Sequence, residues 1–158
     1  MTRRRKKYFR SEPGEPEPLV WEIRHRLLFS EVDALAIGWH GRFPQFFEMC
    51  HTELMRSIGL TYDVYRKNNI GAPIVQLHTD FYVPLDLDEL FTVRAELVWS
   101  GGSRLNVNYE LIKENGELAA TGYTVQMFFD VYSHEPYVST PDFVQEIWDK
   151  WKRGELVK

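Results

Sequence analysis

Residues 33–59, DALAIGWHGRFPQFFEMCHTELMRSIG, decide the fold. The stretch begins with a carboxylate, Asp33, in a turn-like segment, passes Gly38 and Gly41, and becomes a helix. Its apolar residues Phe43, Phe46, Phe47, Cys50, Leu54 and Ile58 recur every three to four positions. One long helix with a single apolar face, in a chain otherwise written as strands, needs a sheet to receive it. The polar turn ahead of the helix sets an acid residue beside free backbone N–H groups, and that pairing is where chemistry is expected.

The flanks supply the sheet. Before the helix, Trp21, Ile23, His25, Leu27 and Phe29 alternate with Glu22, Arg24 and Arg26, the pattern of a half-buried strand with His25 on the inward face. After it, Thr61 caps a short helix over YDVYRKNN that Asn69 to Gly71 end. Ile74 to Val83 then alternates as a second strand, stopped by Pro84. The acidic loop LDLDEL leads to a third strand over about 91–99. The hairpin turn SGGS at 100–103 leads to a fourth over 104–113, and Asn115-Gly116 delivers a fifth over 117–131. An amphipathic helix over about 141–151 closes the chain. Tight hairpins join only antiparallel neighbours, so the last three strands form a meander. The expected class is α+β, a curved antiparallel sheet wrapped around one long central helix.

At 158 residues the chain fits one domain, large enough to bury about two-thirds of the surface of its unfolded state. Residues 1–18 read as a disordered tail, a basic block followed by SEPGEPEP, with the domain running from 19 to 158. Arg3, Arg4, Arg5, Lys6, Lys7 and Arg10 give the first ten residues +6, so the remainder carries −10 to reach the net −4. An acidic body argues against nucleic acid as a partner of the domain. The basic block is either a solvated arm or a contact for RNA, a membrane surface or an acidic protein. A lone cysteine excludes an internal disulfide, and no run approaches the roughly 18 apolar residues of a membrane span, which together point to the cytoplasm.

Several chemistries drop out. Cys50 falls on the apolar helix face and reads as a buried thiol rather than a nucleophile. There is no G-x-S-x-G elbow, P-loop or dinucleotide fingerprint. His78 and Asp80 share a strand face but lack a third metal ligand, so no metal site is expected. Asp33 remains. The helix starts too far on for it to be a direct cap, and the mostly apolar run from Ala34 to Trp39 is expected to surround the carboxylate and raise its basicity. The first N–H groups of the helix, around His40 to Arg42, point toward an incoming electron-rich oxygen. A carboxylate that attacks or activates water, facing amides that hold an oxyanion, is the minimum apparatus for acyl transfer.

The run D-x-x-x-I-x-W-H-x-x-F-x-x-F-F-E at 33–48, continuing as HTELMR at 51–56, resembles the 4-hydroxybenzoyl-CoA thioesterase group of hotdog-fold acyl-CoA thioesterases, including the Tol-Pal-associated branch. The likeness extends over residues 19 to 131 through VPLDLDELFTVRAELV, SGGSRLNVNYEL and GELAATGYTVQMFFD. It implies a hotdog domain that pairs its sheet with a second copy, as a homodimer or homotetramer, with acyl-CoA between protomers and no cofactor beyond the CoA of the substrate. It makes Asp33 the catalytic nucleophile or general base and the His40 amide the polariser of the thioester carbonyl. Trp39, Gly41, Phe43 and Phe47 become pocket walls. Read from the residues themselves, Arg42 is either a solvent-facing first-turn arginine or a residue that shapes the pocket mouth or meets an acid group of the substrate, and His78 is either strand-face packing or a residue reaching a neighbouring protomer's groove. Ser103 and Arg104 are either ordinary turn residues or a flexible basic turn that meets CoA phosphates at a rim. The chain departs from the pattern at Ala36, where glycine is usual, at Gly38 for valine, at Arg42 for asparagine and at Phe43 for tyrosine. The expected function is thioester hydrolysis on CoA or an acyl carrier protein. The alternatives are a hotdog hydratase or dehydratase, and a non-catalytic acyl-binding module docked through the basic tail.

Overall fold

The computed structural model describes residues 7–156. Five strands form one antiparallel sheet in the order β1-β4-β5-β6-β3, with β1 at Leu19–Arg26, β3 at Ile74–Phe81, β4 at Leu90–Val98, β5 at Arg104–Lys113 and β6 at Leu118–Met127. The meander β4-β5-β6 follows from its turns: Gly116 takes φ +86°, a left-handed conformation that glycine adopts without strain, and its N–H closes the turn onto Lys113 at 2.9 Å.

Helix α1, Phe43–Ser57, carries Pro44 in its first turn, where a missing N–H costs nothing. Its apolar-stripe residues Phe43, Phe46, Phe47, Cys50 and Leu54, with Ile58 just past its end, are all buried in the curve of the sheet, the phenylalanine, leucine and isoleucine side chains each stabilising the fold by roughly 1.5–3 kcal/mol. The Phe47 ring stacks on Tyr109 with centroids 4.5 Å apart and planes 10° from parallel. A Cβ on Gly122 would meet the Phe47 ring at 2.7 Å and the His78 carbonyl at 2.4 Å, so a side chain there would hold the helix off the sheet. The Cys50 thiol donates to the carbonyls of Trp21 and Val93, and burial pushes its pKa up to about 12, which leaves it a core thiol.

Three expectations are corrected. The first strand stops at Arg26: the Leu27 amide bonds Glu89 and the chain turns through Phe29–Glu31, leaving Phe29 84% exposed rather than inward. The expected fifth strand breaks at the buried Phe128, and β7, Phe129–Asp130, leaves the main sheet to pair with β2, Ile70–Gly71. A disordered tail over 1–18 fails for residues 7–18; residues 1–6 lie outside the described residues. Lys7 pairs with Glu96 at 3.2 Å, the Tyr8 hydroxyl meets Asp80 at 2.5 Å and Thr121 at 2.8 Å, and the Phe9 backbone exchanges two hydrogen bonds with the Asn108 amide. Composition measures what can form a core, whereas this segment docks by polar contacts on the outer face of the sheet. Its far end is tied down by Trp151 of α3, Asp142–Lys152, whose indole N–H donates to the Glu17 carbonyl at 2.8 Å. Helix α2, Tyr62–Lys67, is capped by Thr61 as its sequence requires.

Candidate active site

Asp33 sits in a loop pinned on both sides. Val32 bridges Gly38, Ile37 bridges Asp86, the Gly38 amide donates to Leu85 at 2.8 Å, and the Trp39 amide donates to Glu31 at 2.9 Å. Glu31 is itself buried, with its carboxylate 2.8 Å from Nε2 of His25 and 2.8 Å from the Leu28 amide. His25 is thus the inward core histidine of β1, packed on Phe46 and Phe91, and it also anchors the turn that leads to Asp33.

The Asp33 carboxylate accepts the Leu35 amide through Oδ1 at 2.8 Å, an Asx turn that caps the loop, while Oδ2 takes part in no hydrogen bond among the described residues. Ala34, Leu35 and Ala36 face outward, with Leu35 77% exposed, so one protomer does not build the apolar enclosure expected around the carboxylate. Leu28, Phe29, Trp39 and Leu87 are exposed as well, leaving an apolar collar about this end of the molecule.

Directly after this loop the chain winds into the 3-10 turn His40–Arg42 and then into α1. At such a start the amides of His40 and Gly41 have no intrahelical acceptor. A cavity of about 530 Å³ begins at Gly41 and runs along α1, against β3, β5, β6 and α2, past Phe47 and His51 to Leu60 and Tyr65. The Trp39 indole lies over Gly41, where a Cβ would meet it at 2.4 Å.

Of the pocket residues expected from sequence, Gly41 and Phe47 line this cavity. Others lie elsewhere. Phe43 is core, edge-on to Phe46 and Phe81. The Arg42 guanidinium donates to Gln45 and to the Ser30 carbonyl, clamping the turn to the helix start rather than standing open at a pocket mouth. His78 is on the outer sheet face, stacked on Tyr123 and 3.1 Å from Asp80, because strand alternation puts Leu77 and Thr79 inside. Ser103, in the β4-β5 turn, and Arg104, the first residue of β5, lie at the opposite end of the sheet from Asp33, about eight strand residues or ~25 Å away. His40 is exposed, its ring 5.3 Å from Trp39.

The polar residues of the cavity floor stand outside the set expected from sequence. His51 Nδ1 lies 2.9 Å from the Tyr109 hydroxyl, which lies 3.0 Å from Thr124 Oγ1, and Gln126 projects from the same strand face. Burial pushes the His51 imidazole down to about 4, so it is neutral at neutral pH. His51 stands four residues after Phe47, on the margin of the apolar stripe, and that position was the available signal.

The fold and the family together define a thioester hydrolase of hotdog architecture. The chain belongs to the thioesterase-like superfamily, whose family model matches residues 27–147. It is similar to the acyl-CoA thioester hydrolase YbgC of Escherichia coli, 18% identical over 126 residues covering 80% of this chain and 92% of the relative. Among solved structures it is similar to a DHNA-CoA thioesterase of Staphylococcus aureus, with TM-score 0.73, 21% identity, and 87% and 97% of the two chains covered. A hypothetical protein of Staphylococcus aureus determined in complex with CoA superimposes with TM-score 0.76 at 16% identity, covering 94% and 92% of the two chains.

Proposed function

We propose that this chain hydrolyses acyl-CoA thioesters with Asp33 as the reacting carboxylate and the His40 amide as oxyanion donor. The observation that supports the reading most directly is positional: the elongated cavity begins at Gly41, at a helix start where the His40 and Gly41 amides take part in no hydrogen bond among the described residues, and the bridge between Val32 and Gly38 pins the Asp33 loop beside that start. The relatives named as acyl-CoA thioester hydrolase and DHNA-CoA thioesterase support CoA as the thiol carrier.

The thioester carbonyl oxygen sits against the helix-start amides and the acyl chain extends along α1. Oδ2 of Asp33 either attacks the carbonyl carbon or takes a proton from an attacking water. The tetrahedral oxyanion is held by the amides and collapses, the C–S bond breaks, and the CoA thiolate takes up a proton, leaving a free acid. On the nucleophilic route an acyl-aspartyl anhydride forms first and water hydrolyses it. Trapping with hydroxylamine during turnover separates the routes, since only the nucleophilic one passes through an anhydride on Asp33. Neither route calls on a cofactor, so dialysis against EDTA leaves the rate unchanged.

Two copies complete the site. Among the described residues strand β3 is a free edge, with Ile74, Val75, Leu77 and Phe81 about half exposed, an arrangement that invites pairing with a second sheet. A partner laid there would also approach the apolar collar around Asp33. No helix among the described residues is long and apolar enough to cross a membrane, and the cytoplasm, where acyl-CoA is made and used, is the proposed location. Steady-state hydrolysis of aromatic, short, medium and long acyl-CoAs, with the matching acyl carrier protein thioesters, tests the assignment. Tight binding of these thioesters without turnover, unaffected by Asp33→Asn, would overturn it in favour of an acyl-binding module.

A further inference from the structure

The cavity along α1 is not greasy throughout. Its wall begins with Gly41, Pro44 and Phe47, but deeper in it meets a polar floor made by His51, Tyr109, Thr124 and Gln126. Thr124 and Gln126 stand two residues apart on the inner face of β6, about 7 Å from one another along the strand. The Gln126 side chain spends its Nε2 on the Ala72 carbonyl at 2.7 Å, and its Oε1 is buried with no hydrogen-bond partner. A buried acceptor left in that state is costly, and a molecule that brings a donor to it recovers the loss. Nearby, His51 uses Nδ1 on Tyr109, and its Nε2 takes part in no hydrogen bond among the described residues.

We infer that this floor is a subsite for a hydroxyl group carried on the acyl chain, donating to Gln126 Oε1 and meeting the polar edge of His51. A hydroxyl is both donor and acceptor, which is what an orphaned carbonyl oxygen beside a neutral imidazole calls for. A carboxylate suits the place poorly. It has no proton for Oε1, and Arg56, the one lysine or arginine of the cavity wall among the described residues, is exposed at the rim, as is Glu48.

Depth sets the length of the chain. From Gly41 to His51 is a rise of ten residues, the first two in the 3-10 turn and the rest in α1, about 16 Å. That exceeds a single aromatic ring and suits an extended chain of about ten carbons, whose bonds of ~1.5 Å advance in zigzag. The substrate class is then a medium-length acyl group hydroxylated near its far end. This inference rests on the acyl-CoA reading above for the direction in which the chain enters.

The test compares decanoyl-CoA, 10-hydroxydecanoyl-CoA and decanedioyl-CoA on the 158-residue chain and on its Gln126→Met and Tyr109→Phe variants. In parallel, calorimetry measures binding of the matched alkyl-CoA and hydroxyalkyl-CoA thioethers, which cannot be hydrolysed. The wild type is expected to favour the hydroxylated thioester in kcat/KM by about tenfold or more. Gln126→Met brings the ratio toward one, and Tyr109→Phe, which keeps the ring on Phe47 but breaks the relay, lowers it. Each ratio is taken within one variant, so a change in folded fraction cancels. Equal rates for decanoyl and hydroxydecanoyl substrates, or a preference for the dicarboxylic chain, overturn the subsite. Failure to hydrolyse any acyl-CoA overturns the activity instead. In that case a tenfold thioether preference abolished by Gln126→Met still upholds the subsite, and its absence sinks it.

Discussion

The amide of Asp33 donates to the carbonyl of Ile37 across 2.9 Å, closing the loop that carries the carboxylate onto itself. Loop shape therefore does not depend on the negative charge. Asparagine in place of Asp33 keeps an Oδ1 acceptor for the Leu35 amide and so keeps the turn. Asp33→Asn is expected to fold with a melting temperature near that of the wild type and to lose kcat/KM on acyl-CoA by about a hundredfold or more, the scale of a lost general base or nucleophile. Steady-state kinetics beside circular dichroism checks both halves. A variant of undiminished rate excludes Asp33.

Ala36 takes φ +59° in the same loop, while its N–H donates to the Asp33 carbonyl at 3.0 Å and its carbonyl accepts the Leu87 amide at 3.0 Å. Left-handed backbone crowds a Cβ against the following carbonyl and is relieved by glycine. Ala36→Gly is expected to stabilise the protein by about 1 kcal/mol, net of the extra freedom glycine has in the unfolded chain. A urea titration showing destabilisation would mean the loop tolerates the methyl group without strain.

Ile74 and Val75 open the free edge of β3 and are 56% and 50% exposed. Replacing both with lysine leaves the pairing of β3 with β6 intact but places charge along the edge, the device by which sheets avoid each other. The wild type is expected to sediment as a dimer or larger, and the double variant as a monomer with little thioesterase activity. A wild-type monomer of full activity refutes the paired-edge arrangement.

Periodicity carried most of the architecture. The stripe from Phe43 to Ile58 is buried throughout, and Asn115-Gly116 turns where such a pair must. What escaped depends on long-range polar contacts that leave no local period. Lys7, Tyr8 and Phe9 sit in a stretch too polar to form a core, yet the sheet's outer face offers Glu96, Asp80 and Asn108 to hold them. Pocket residues were harder still. Phe43 and Phe47 look alike in the stripe, but one turn of helix turns Phe43 toward Phe81 and Phe47 toward Tyr109 and the cavity. Residues Tyr109, Thr124 and Gln126 come from strands whose inward positions read as ordinary core until the helix is laid across them.

His51 gives the protein a pH-sensitive stability. Burial lowers its pKa from an ordinary 6.5 to about 4, so as pH falls the unfolded chain takes up the proton first. Unfolding is therefore favoured by acid in that window: stability is full above about 6.5, declines between about 6.5 and 4, and stops declining from this group below about 4. At 1.36 kcal/mol per pK unit the loss amounts to about 3 kcal/mol, as an order of magnitude. His51→Gln keeps a hydrogen-bonding side chain near the Tyr109 hydroxyl but cannot titrate. Urea unfolding at several values between pH 7 and 4 is expected to show a slope in the wild type that is shallower in His51→Gln. Parallel curves for the two proteins would place the acid sensitivity on carboxylates instead and leave His51 without a part in it.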